Sequence, residues 1–399
     1  MKKLLILGGS RYILPVIEAA HKLGAYVITA DYLPDNIAHK YSDHYENISV
    51  IEKKKVLEYA QKEQIDGISA FACDAAVVTA AYVADRMGLP SPGPLKSVEI
   101  LQNKGLFRDF LWENGFRVPF SGTYESFEEA AAEQEKFRLP VIVKPTDSCG
   151  SKGVTRVDSW DELREAVEIA VDRSFESKCI VEEFITKKGF SSDCEAFSVN
   201  GDLRVMTYNA QWFDSEAVNP YTPAGYSWPS SISPEHQAEL TKEIQRLLRL
   251  LSMGTSIYNI ETRESVDGNA YIMEVSPRGG GNRLAECVRY AAGIDMIENH
   301  VRASLGLELI PMPEYRLNGN WMEVILHSQK SGIFKSLQLK DEIRKYVVEE
   351  DLWIKAGDHV EVFSGANQTI GTLICNFASQ DQANDVQAHV NDFITVSVE

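Results

Sequence analysis

Apolar and polar positions alternate with two different periods in the first quarter of the chain. Short apolar runs at residues 4–7, 26–30 and 67–72 predict buried strands, because strands of a parallel sheet are apolar on both faces. Amphipathic stretches at 15–23 and 53–62 lie between them and predict helices. Strands that alternate with helices are typical of βαβ units, so this segment predicts a doubly wound parallel sheet and an α/β fold.

The pattern changes at a proline-rich break over residues 89–94, which indicates a domain boundary. A helix is expected over 94–114, and a strand–helix–strand pattern follows, with its clearest strands at 139–144 and Cys179–Glu183. Residues 208–233 are rich in proline, glycine, tyrosine and tryptophan and lack periodicity. They therefore predict a long loop that serves as a lid or a substrate wall.

Composition and charge argue against several kinds of partner and site. The chain has 399 residues and a formal charge of −18, which disfavours nucleic acid as a partner because phosphate binding requires a basic face. No apolar run approaches the roughly 20 residues that span a bilayer, so no membrane association is expected. Six scattered cysteines without C-x-x-C spacing argue against disulfides and structural zinc, and a cytoplasmic location is expected.

A glycine-rich turn with two lysines follows the apolar run Val141-Ile142-Val143. Glycines let backbone N–H groups approach phosphate oxygens, and lysines supply the charge that a polyphosphate requires. The groups expected to contact phosphate are Lys144, Gly150, Ser151, Lys152 and Gly153. No G-K-[ST] opens a helix here, so this is not a Walker loop, and a plain hairpin with a lysine at its edge remains the alternative.

Glu261 and Glu274 are expected to face each other across a hairpin. Two strand patterns flank an Asp267-Gly268 turn, and an unbroken hairpin centred there sets the two glutamates opposite each other on one face. Like charges at that spacing repel unless something compensates, and a divalent cation would do so. A solvent-facing acidic pair at a sheet edge is the alternative.

Arg278 and Arg283 enclose three glycines just after this hairpin. An arginine next to a metal site can stabilise charge on a phosphoryl group during transfer, which suits Arg278. A helix is expected from Arg283 onward, and the N–H groups before it suit a carboxylate or an acyl phosphate. Gly280, Gly281 and Arg283 are therefore the candidate substrate contacts, with a flexible turn as the alternative.

Taken in order, these segments resemble the ATP-grasp superfamily, in the group that holds carboxylate–amine ligases and carbamoyl phosphate synthetase-like proteins. Each piece is weak alone, but the set is specific in its order and spacing. The matching pieces are Asn103-Lys104, Val143-Lys144-Pro145, the 148–154 loop, Val181-Glu182-Glu183-Phe184-Ile185, Glu261, Glu274 and Pro277-Arg278.

The resemblance implies an architecture. It places a Rossmann-like domain at 1–95 and a two-lobed ATP-grasp core at 96–315, whose mobile lid covers 119–185. A small β-rich domain at 316–399 follows. Segment 321–379 is similar to the final domain of L-amino-acid ligases, which indicates an amino acid as one substrate. A homodimer is an open expectation.

The resemblance also implies roles, with ATP and Mg²⁺ as cofactors and Mn²⁺ as an alternative metal. Lys104 and Lys144 hold the phosphates, and the backbone of the hinge residues Glu182, Glu183, Phe184 and Ile185 meets adenine. Glu261 and Glu274 hold the metal, and Arg278 steadies the transferring phosphate.

Two positions depart from the family pattern. The usual ribose-binding glutamate is Gly189 here, so Asp193 or Glu195 is expected to replace it. The usual asparagine that follows the second metal glutamate is Ser276, which would be a weaker metal ligand.

The implied activity is a ligation, in which ATP phosphorylates a small-molecule carboxylate and an amine attacks the acyl phosphate. Two alternatives stay open. One is a nucleotide-binding sensor or scaffold without turnover. The other is a nicotinamide-dependent dehydrogenase that uses Asp31 at the end of the second strand, although the G-x-G-x-x-G spacing is missing.

Overall fold

The computed structural model of the chain describes residues 1–148, 150 and 152–399. The strands are β1 (Lys3–Leu7), β2 (Tyr26–Ala30), β3 (His44–Glu46), β4 (Gly67–Ser69), β5 (Ser121–Tyr124), β6 (Val141–Pro145), β7 (Thr155–Val157), β8 (Cys179–Glu183), β9 (Ser192–Val199), β10 (Asp202–Met206), β11 (Ala210–Phe213), β12 (Pro223–Trp228), β13 (Ser256–Glu264), β14 (Ala270–Ser276), β15 (Asn320–Leu326), β16 (Gly332–Leu339), β17 (Val347–Leu352), β18 (His359–Val360), β19 (Gly371–Phe377) and β20 (Ile394–Val398).

The helices connect and cover these strands. They are α1 (Leu14–Lys22), α2 (Lys53–Glu63), α3 (Asp74–Met87), α4 (Leu95–Gln102), α5 (Lys104–Glu113), α6 (Phe127–Glu133), α7 (Leu163–Asp172), α8 (Pro234–Leu250), α9 (Leu284–Ala292), α10 (Met296–Ser304), α11 (Asp341–Arg344), α12 (Gln380–Ala388) and α13 (Val390–Phe393). Short 3₁₀ turns lie at Arg11–Ile13, Ile37–Lys40, Gln134–Lys136, Trp160–Glu162 and Ala366–Gln368.

The N-terminal sheet has the strand order β3-β2-β1-β4, and all its neighbours are parallel. The predicted parallel sheet and the α/β class are therefore confirmed. Strand β3, with the sequence His44-Tyr45-Glu46, carries no apolar signal. It was absent from the sequence prediction because only its pairing with β2 makes it a strand.

The single helix predicted over 94–114 is wrong, because two helices, α4 and α5, meet at Asn103. This residue has extended backbone angles (φ −113°, ψ 116°), and its side chain accepts a hydrogen bond from the Leu106 amide. An asparagine in that position begins a new helix. The break also lets the Lys104 amide donate to the Thr146 carbonyl, at the edge of the glycine-rich loop.

Two antiparallel sheets follow along the chain. The first has the order β5-β8-β6-β7, and the second has the order β10-β9-β13-β14. Each has a separate hydrophobic core, in which α7 lies against the first sheet and α8 against the second.

The long loop predicted over 208–233 is wrong, because it contains strands β11 and β12. These strands join β15, β19 and β17 in one antiparallel sheet, in the order β11-β12-β15-β19-β17. Their partners lie about a hundred residues further along the chain, at a sequence separation that no local pattern reports. No helix in the described part of the chain is long and apolar enough to cross a membrane.

Helix α8 allows a matched test of the second core. Leu247 is fully buried, whereas Leu250 on the same helix is 46% exposed. We expect Leu247→Ala to lower the free energy of unfolding by about 2–5 kcal/mol, because it leaves a cavity. Leu250→Ala should change it by less than about 0.5 kcal/mol. Urea unfolding followed by circular dichroism measures both, and equal losses would contradict the described packing of α8.

Candidate active site

A cavity of about 280 Å³ lies between the sheet that contains β6 and β8 and the sheet that contains β13 and β14. Most of the residues singled out in the sequence line it: Lys104, Lys144, Gly150, Lys152, Glu182, Glu183, Phe184, Ile185, Asp193, Glu261, Glu274 and Arg278. Ser151 lies outside the described residues. The remaining candidates, Gly153, Ser276, Gly280, Gly281 and Arg283, are not brought into the lining of this cavity.

Three carboxylates form a row across the floor of the cavity. Glu261 on β13 is the register partner of Glu274 on β14 and of Asp193 on β9. Side chains at such cross-strand positions lie about 4.5–5.5 Å apart at Cβ and share one face of the sheet. The predicted pairing of Glu261 with Glu274 is therefore confirmed.

The predicted reason for that pairing is wrong, because the hairpin contains a β-bulge. Thr262 pairs with Ile272, so Met273 is an extra residue in β14. A continuous ladder from that pair would set Met273 opposite Glu261. The bulge shifts the register by one residue and places Glu274 there instead.

Two cations face the glutamates. Arg263 donates from Nη2 to Glu261 Oε1 at 3.0 Å, and Lys104 Nζ lies 3.9 Å from Glu274 Oε2. The sequence analysis did not select Arg263, although it lies two residues beyond Glu261 on the same face of β13. No group of three or more His, Cys, Asp or Glu side chains that could hold a metal occurs in the described ranges. The two glutamates suit Mg²⁺ only together with oxygens from another molecule, as phosphates would supply.

A buried ion cluster holds Lys144 in the wall of the cavity. Lys144 Nζ donates to Glu182 Oε2 at 2.6 Å, and Arg108 Nε lies 2.6 Å from Glu182 Oε1. Arg108 and Glu182 are 3% and 1% exposed. Burial opposes ionisation of Glu182, but Arg108 and Lys144 outweigh it and lower its pKa to about 2. Arg108 lies on the buried face of α5, where a sequence pattern predicts apolar residues, so it was missed.

Some hydrogen-bonding groups of the hinge residues are already paired with other parts of the protein. The amides of Glu183 and Phe184 donate to the carbonyls of Phe120 and Pro140. The Glu183 carboxylate accepts two hydrogen bonds from the Arg138 guanidinium and one from its amide. The hinge is therefore anchored to the sheet on one side while Phe184 and Ile185 line the cavity.

Arg278 enters the cavity already paired. Its Nε and Nη2 donate to the two carboxylate oxygens of Asp74, each at 2.7 Å. Burial opposes ionisation of Asp74, but Arg278 lowers its pKa below the usual range. Asp74 follows β4 at the carboxyl end of the parallel sheet, a position that often carries functional residues and that could have identified it.

Ser276 is buried behind Asp74 and does not line the cavity. Its hydroxyl donates to Asp74 at 3.0 Å and accepts a hydrogen bond from Gln102 at 2.9 Å. The serine is 1% exposed. This geometry supports a role in fixing Asp74 rather than in binding a metal.

Asp193 lies beside the metal candidates. It accepts hydrogen bonds from Asn259 at 2.7 Å and from Tyr226 at 3.2 Å, and burial raises its pKa to about 7 despite Arg278. The register that sets it next to Glu261 does not favour the ribose role expected from the sequence. Glu195 is more deeply buried, accepts hydrogen bonds from the Gly280 amide and Asn259, and has a pKa raised to about 8 by burial.

The substrate contacts expected after the hairpin lie elsewhere. The expected helix after the glycines is present as α9. The Gly280 amide is used by Glu195, and Arg283, whose side chain is 9% exposed, pairs with Glu286 at 2.9 Å and with Glu349 at 2.8 Å. An arginine balanced by acidic residues is a poor receptor for a carboxylate, so this role for Arg283 stays a prediction that the geometry does not favour.

Comparison with known proteins agrees with this geometry. Residues 137–286 match the model of the ATP-grasp domain. The chain is 24% identical over 381 residues to the formate-dependent phosphoribosylglycinamide formyltransferase of Bacteroides thetaiotaomicron, with 94% of each covered. It is 25% identical over 216 residues to the C-terminal section of the carbamoyl phosphate synthase large chain of Aquifex aeolicus, with 54% of this chain and 39% of that one covered.

Solved structures show the same fold over the whole chain. The L-amino acid ligase of Bacillus licheniformis superimposes with a TM-score of 0.82 at 21% identity, covering 100% of this chain and 99% of that one. The phosphoribosylglycinamide synthetase of Anaerococcus prevotii superimposes with a TM-score of 0.79 at 20% identity, with both chains fully covered. With its cavity, its row of carboxylates and a segment that matches the ATP-grasp domain, the chain is similar to ATP-grasp carboxylate–amine ligases.

Proposed function

We propose that this ATP-dependent ligase joins two substrates that carry no phosphate, one of them a free amino acid, and that the cavity residues have the roles given below. The observation that carries the proposal is the balance of charge in the cavity. Arg108 is matched by Glu182, Arg278 by Asp74 and Arg263 by Glu261. The other cations are Lys104, which lies 3.9 Å from Glu274, Lys144, which shares Glu182 with Arg108, and Lys152. We assign these three to the phosphates of ATP, which leaves no further cation for a phosphorylated substrate among the described residues that line this cavity.

In the proposed ATP site, Lys144 and Lys104 contact the phosphates. Gly150 and Lys152 lie in the loop over them, and Phe184 and Ile185 border the base. Glu261 and Glu274 would hold Mg²⁺, which when bound draws charge from the phosphate oxygens. Arg278 is oriented by Asp74, so that it needs no rearrangement when charge develops on the phosphoryl group.

The reaction has two steps. A carboxylate oxygen of the first substrate attacks the γ-phosphorus, the bond to the ADP oxygen breaks, and an acyl phosphate forms. The amine nitrogen of the second substrate then attacks the acyl carbon, the C–O bond to phosphate breaks, and the nitrogen releases a proton. This chemistry needs positioning and charge stabilisation more than a side-chain nucleophile.

The dehydrogenase alternative loses support from the first sheet. The Asp31 carboxylate accepts hydrogen bonds from the Leu33 amide at 3.0 Å and from the Asn36 side chain at 3.2 Å. It is therefore already occupied by its own loop, where a nicotinamide ribose would need it free.

The first test is turnover. With MgATP and pairs of free amino acids, we expect phosphate release that depends on the amino acid. Lys144→Ala should lower kcat/KM by about tenfold to a hundredfold, because a hydrogen bond to a charged group is lost. Lys136→Ala, which removes an exposed lysine paired with Glu133, is the control. Normal phosphate release by a folded Lys144→Ala protein would refute the assignment of the phosphate site.

A second test concerns the metal. Glu274→Gln should raise the Mg²⁺ concentration needed for half-maximal rate, since one of two carboxylate ligands loses its charge. Glu128→Gln removes an exposed carboxylate near Arg164 and serves as the control. Identical Mg²⁺ titrations for both variants would place the metal elsewhere.

A third test uses the pH dependence of stability. Glu182 has a folded pKa of about 2 against an ordinary value of 4.5, so its contribution is fully present above pH 4.5 and is lost as pH falls toward 2. That difference is on the order of 3 kcal/mol. Glu182→Gln should therefore cost most near pH 7 and progressively less below pH 4.5. Glu183→Gln, on the same strand but paired with exposed Arg138, should cost much less, and equal costs in urea unfolding would argue against the cluster.

A further inference from the structure

A second cavity of about 800 Å³ lies beyond the glycines that follow Arg278. Its walls come from the loop after β1, from helix α1, from the start of α9 and from the end of β17 with Trp353 just after it, and Tyr41 also lines it. Arg278 lines the first cavity and Arg283 lines the second, and five residues of chain span at most about 18 Å. A substrate in the second cavity would therefore lie close to the proposed site of phosphoryl transfer.

The glycine segment packs against the wall of the second cavity. A Cβ built on Gly281 would lie 3.6 Å from the Tyr12 ring, in ordinary van der Waals contact. Tyr12 in turn packs edge-on against Trp353, with ring centroids 5.9 Å apart. The second cavity thus begins at an aromatic wall that borders the glycines.

Arg11 is a cation of this cavity whose surroundings, among the described residues, are aromatic rather than acidic. The Arg11 guanidinium lies 5.0 Å from the centre of the Trp353 ring, and it forms no ion pair with any residue that the structure describes. Stacking on an indole leaves the N–H groups of a guanidinium available to an anion. Arg11 is therefore a ready receptor for a negatively charged group.

The other side of the same indole is acidic. Trp353 Nε1 donates to Asp351 Oδ2 at 2.8 Å, and the Asp351 side chain is 39% exposed. The Arg283 guanidinium is within ion-pair distance of three carboxylates, those of Glu286, Glu349 and Asp351. Carboxylates therefore outnumber the cation that they share. An ammonium group would complete this charge balance.

We propose that the second cavity binds the amine substrate as a zwitterionic α-amino acid, with its carboxylate on Arg11 and its ammonium group at Asp351. The inference rests on the proposed function, and it names the residues that select the amine. A phosphate in place of the carboxylate is disfavoured, because Lys22, which also lines the cavity, is paired with Glu18, and Arg11 beside an acidic cluster does not balance a group that carries nearly two charges. Binding of a simple cation is disfavoured because Arg11 would repel it.

The test is direct binding to the full chain loaded with MgADP. The twenty standard amino acids are screened by thermal shift, and the dissociation constant of the strongest binder is measured by calorimetry. Its amide, which lacks the carboxylate, and the matching acid, which lacks the amine, are measured beside it. Phosphoethanolamine serves as the phosphorylated probe. We expect the amino acid to bind more tightly than all three.

The variants separate the two charges. Arg11→Ala should weaken binding of the amino acid by about tenfold to a hundredfold and remove its advantage over the amide. Arg11→Lys should restore part of that loss, and Asp351→Asn should remove the advantage over the acid without the amine. The control is Arg86→Ala, because Arg86 also lies 5.0 Å from an aromatic ring, that of Tyr82, and pairs with exposed Asp85 far from both cavities. None of these variants should change MgADP affinity.

Three outcomes would overturn the inference. They are the absence of amino-acid binding to a protein that binds MgADP, equal effects of Arg11→Ala and Arg86→Ala, and Arg11-dependent binding of phosphoethanolamine alone. Failure of the proposed function would give a different result. Amino acids would then still bind through Arg11, but no pair of carboxylate and amine would support ADP release.

Discussion

Glu182 and Asp74 stay ionised in the wall of the first cavity because arginine and lysine side chains pair with them, and the site depends on this constraint. Glu182 is almost fully buried, and it remains ionised because Arg108 and Lys144 approach it to 2.6 Å. Removal of a single partner from such a cluster leaves an uncompensated charge, which is strongly destabilising. The cluster therefore fixes Lys144 at the position where the proposed phosphate contact requires it. Asp74 fixes Arg278 in the same way, through two hydrogen bonds of 2.7 Å.

The paired arginines also explain how the first cavity can select among anionic ligands. An arginine that is already balanced attracts a further anion weakly, whereas Lys104 and Lys152 have charge to spare for a polyphosphate. In the second cavity Arg283 is surrounded by carboxylates, whereas Arg11 pairs with no carboxylate in the described part of the chain. The two cavities therefore differ in the charge they accept.

Local irregularities place the functional groups more than the regular elements do. The bulge at Met273 brings Glu274 opposite Glu261, and the helix break at Asn103 sets Lys104 at the start of α5. A regular hairpin or a continuous helix would move each side chain around its element. Bulges and helix breaks of this kind are often found beside functional sites, where they re-aim a side chain.

The sequence by itself determined the parallel N-terminal sheet, the resemblance to ATP-grasp proteins and about half of the residues that line the first cavity. These features are visible because apolar periodicity, turn residues and motif order are local properties of the chain. Only the tertiary structure decided that Arg108 and Asp74 orient Lys144 and Arg278, that Ser276 bonds to Asp74, and that β12 pairs with the C-terminal strand β15. It also separated Arg283 from the nucleotide cavity and brought Arg11 and Trp353 together. Each of these depends on contacts between residues far apart in the chain, where the free energy comes from burial and charge pairing that no local pattern encodes.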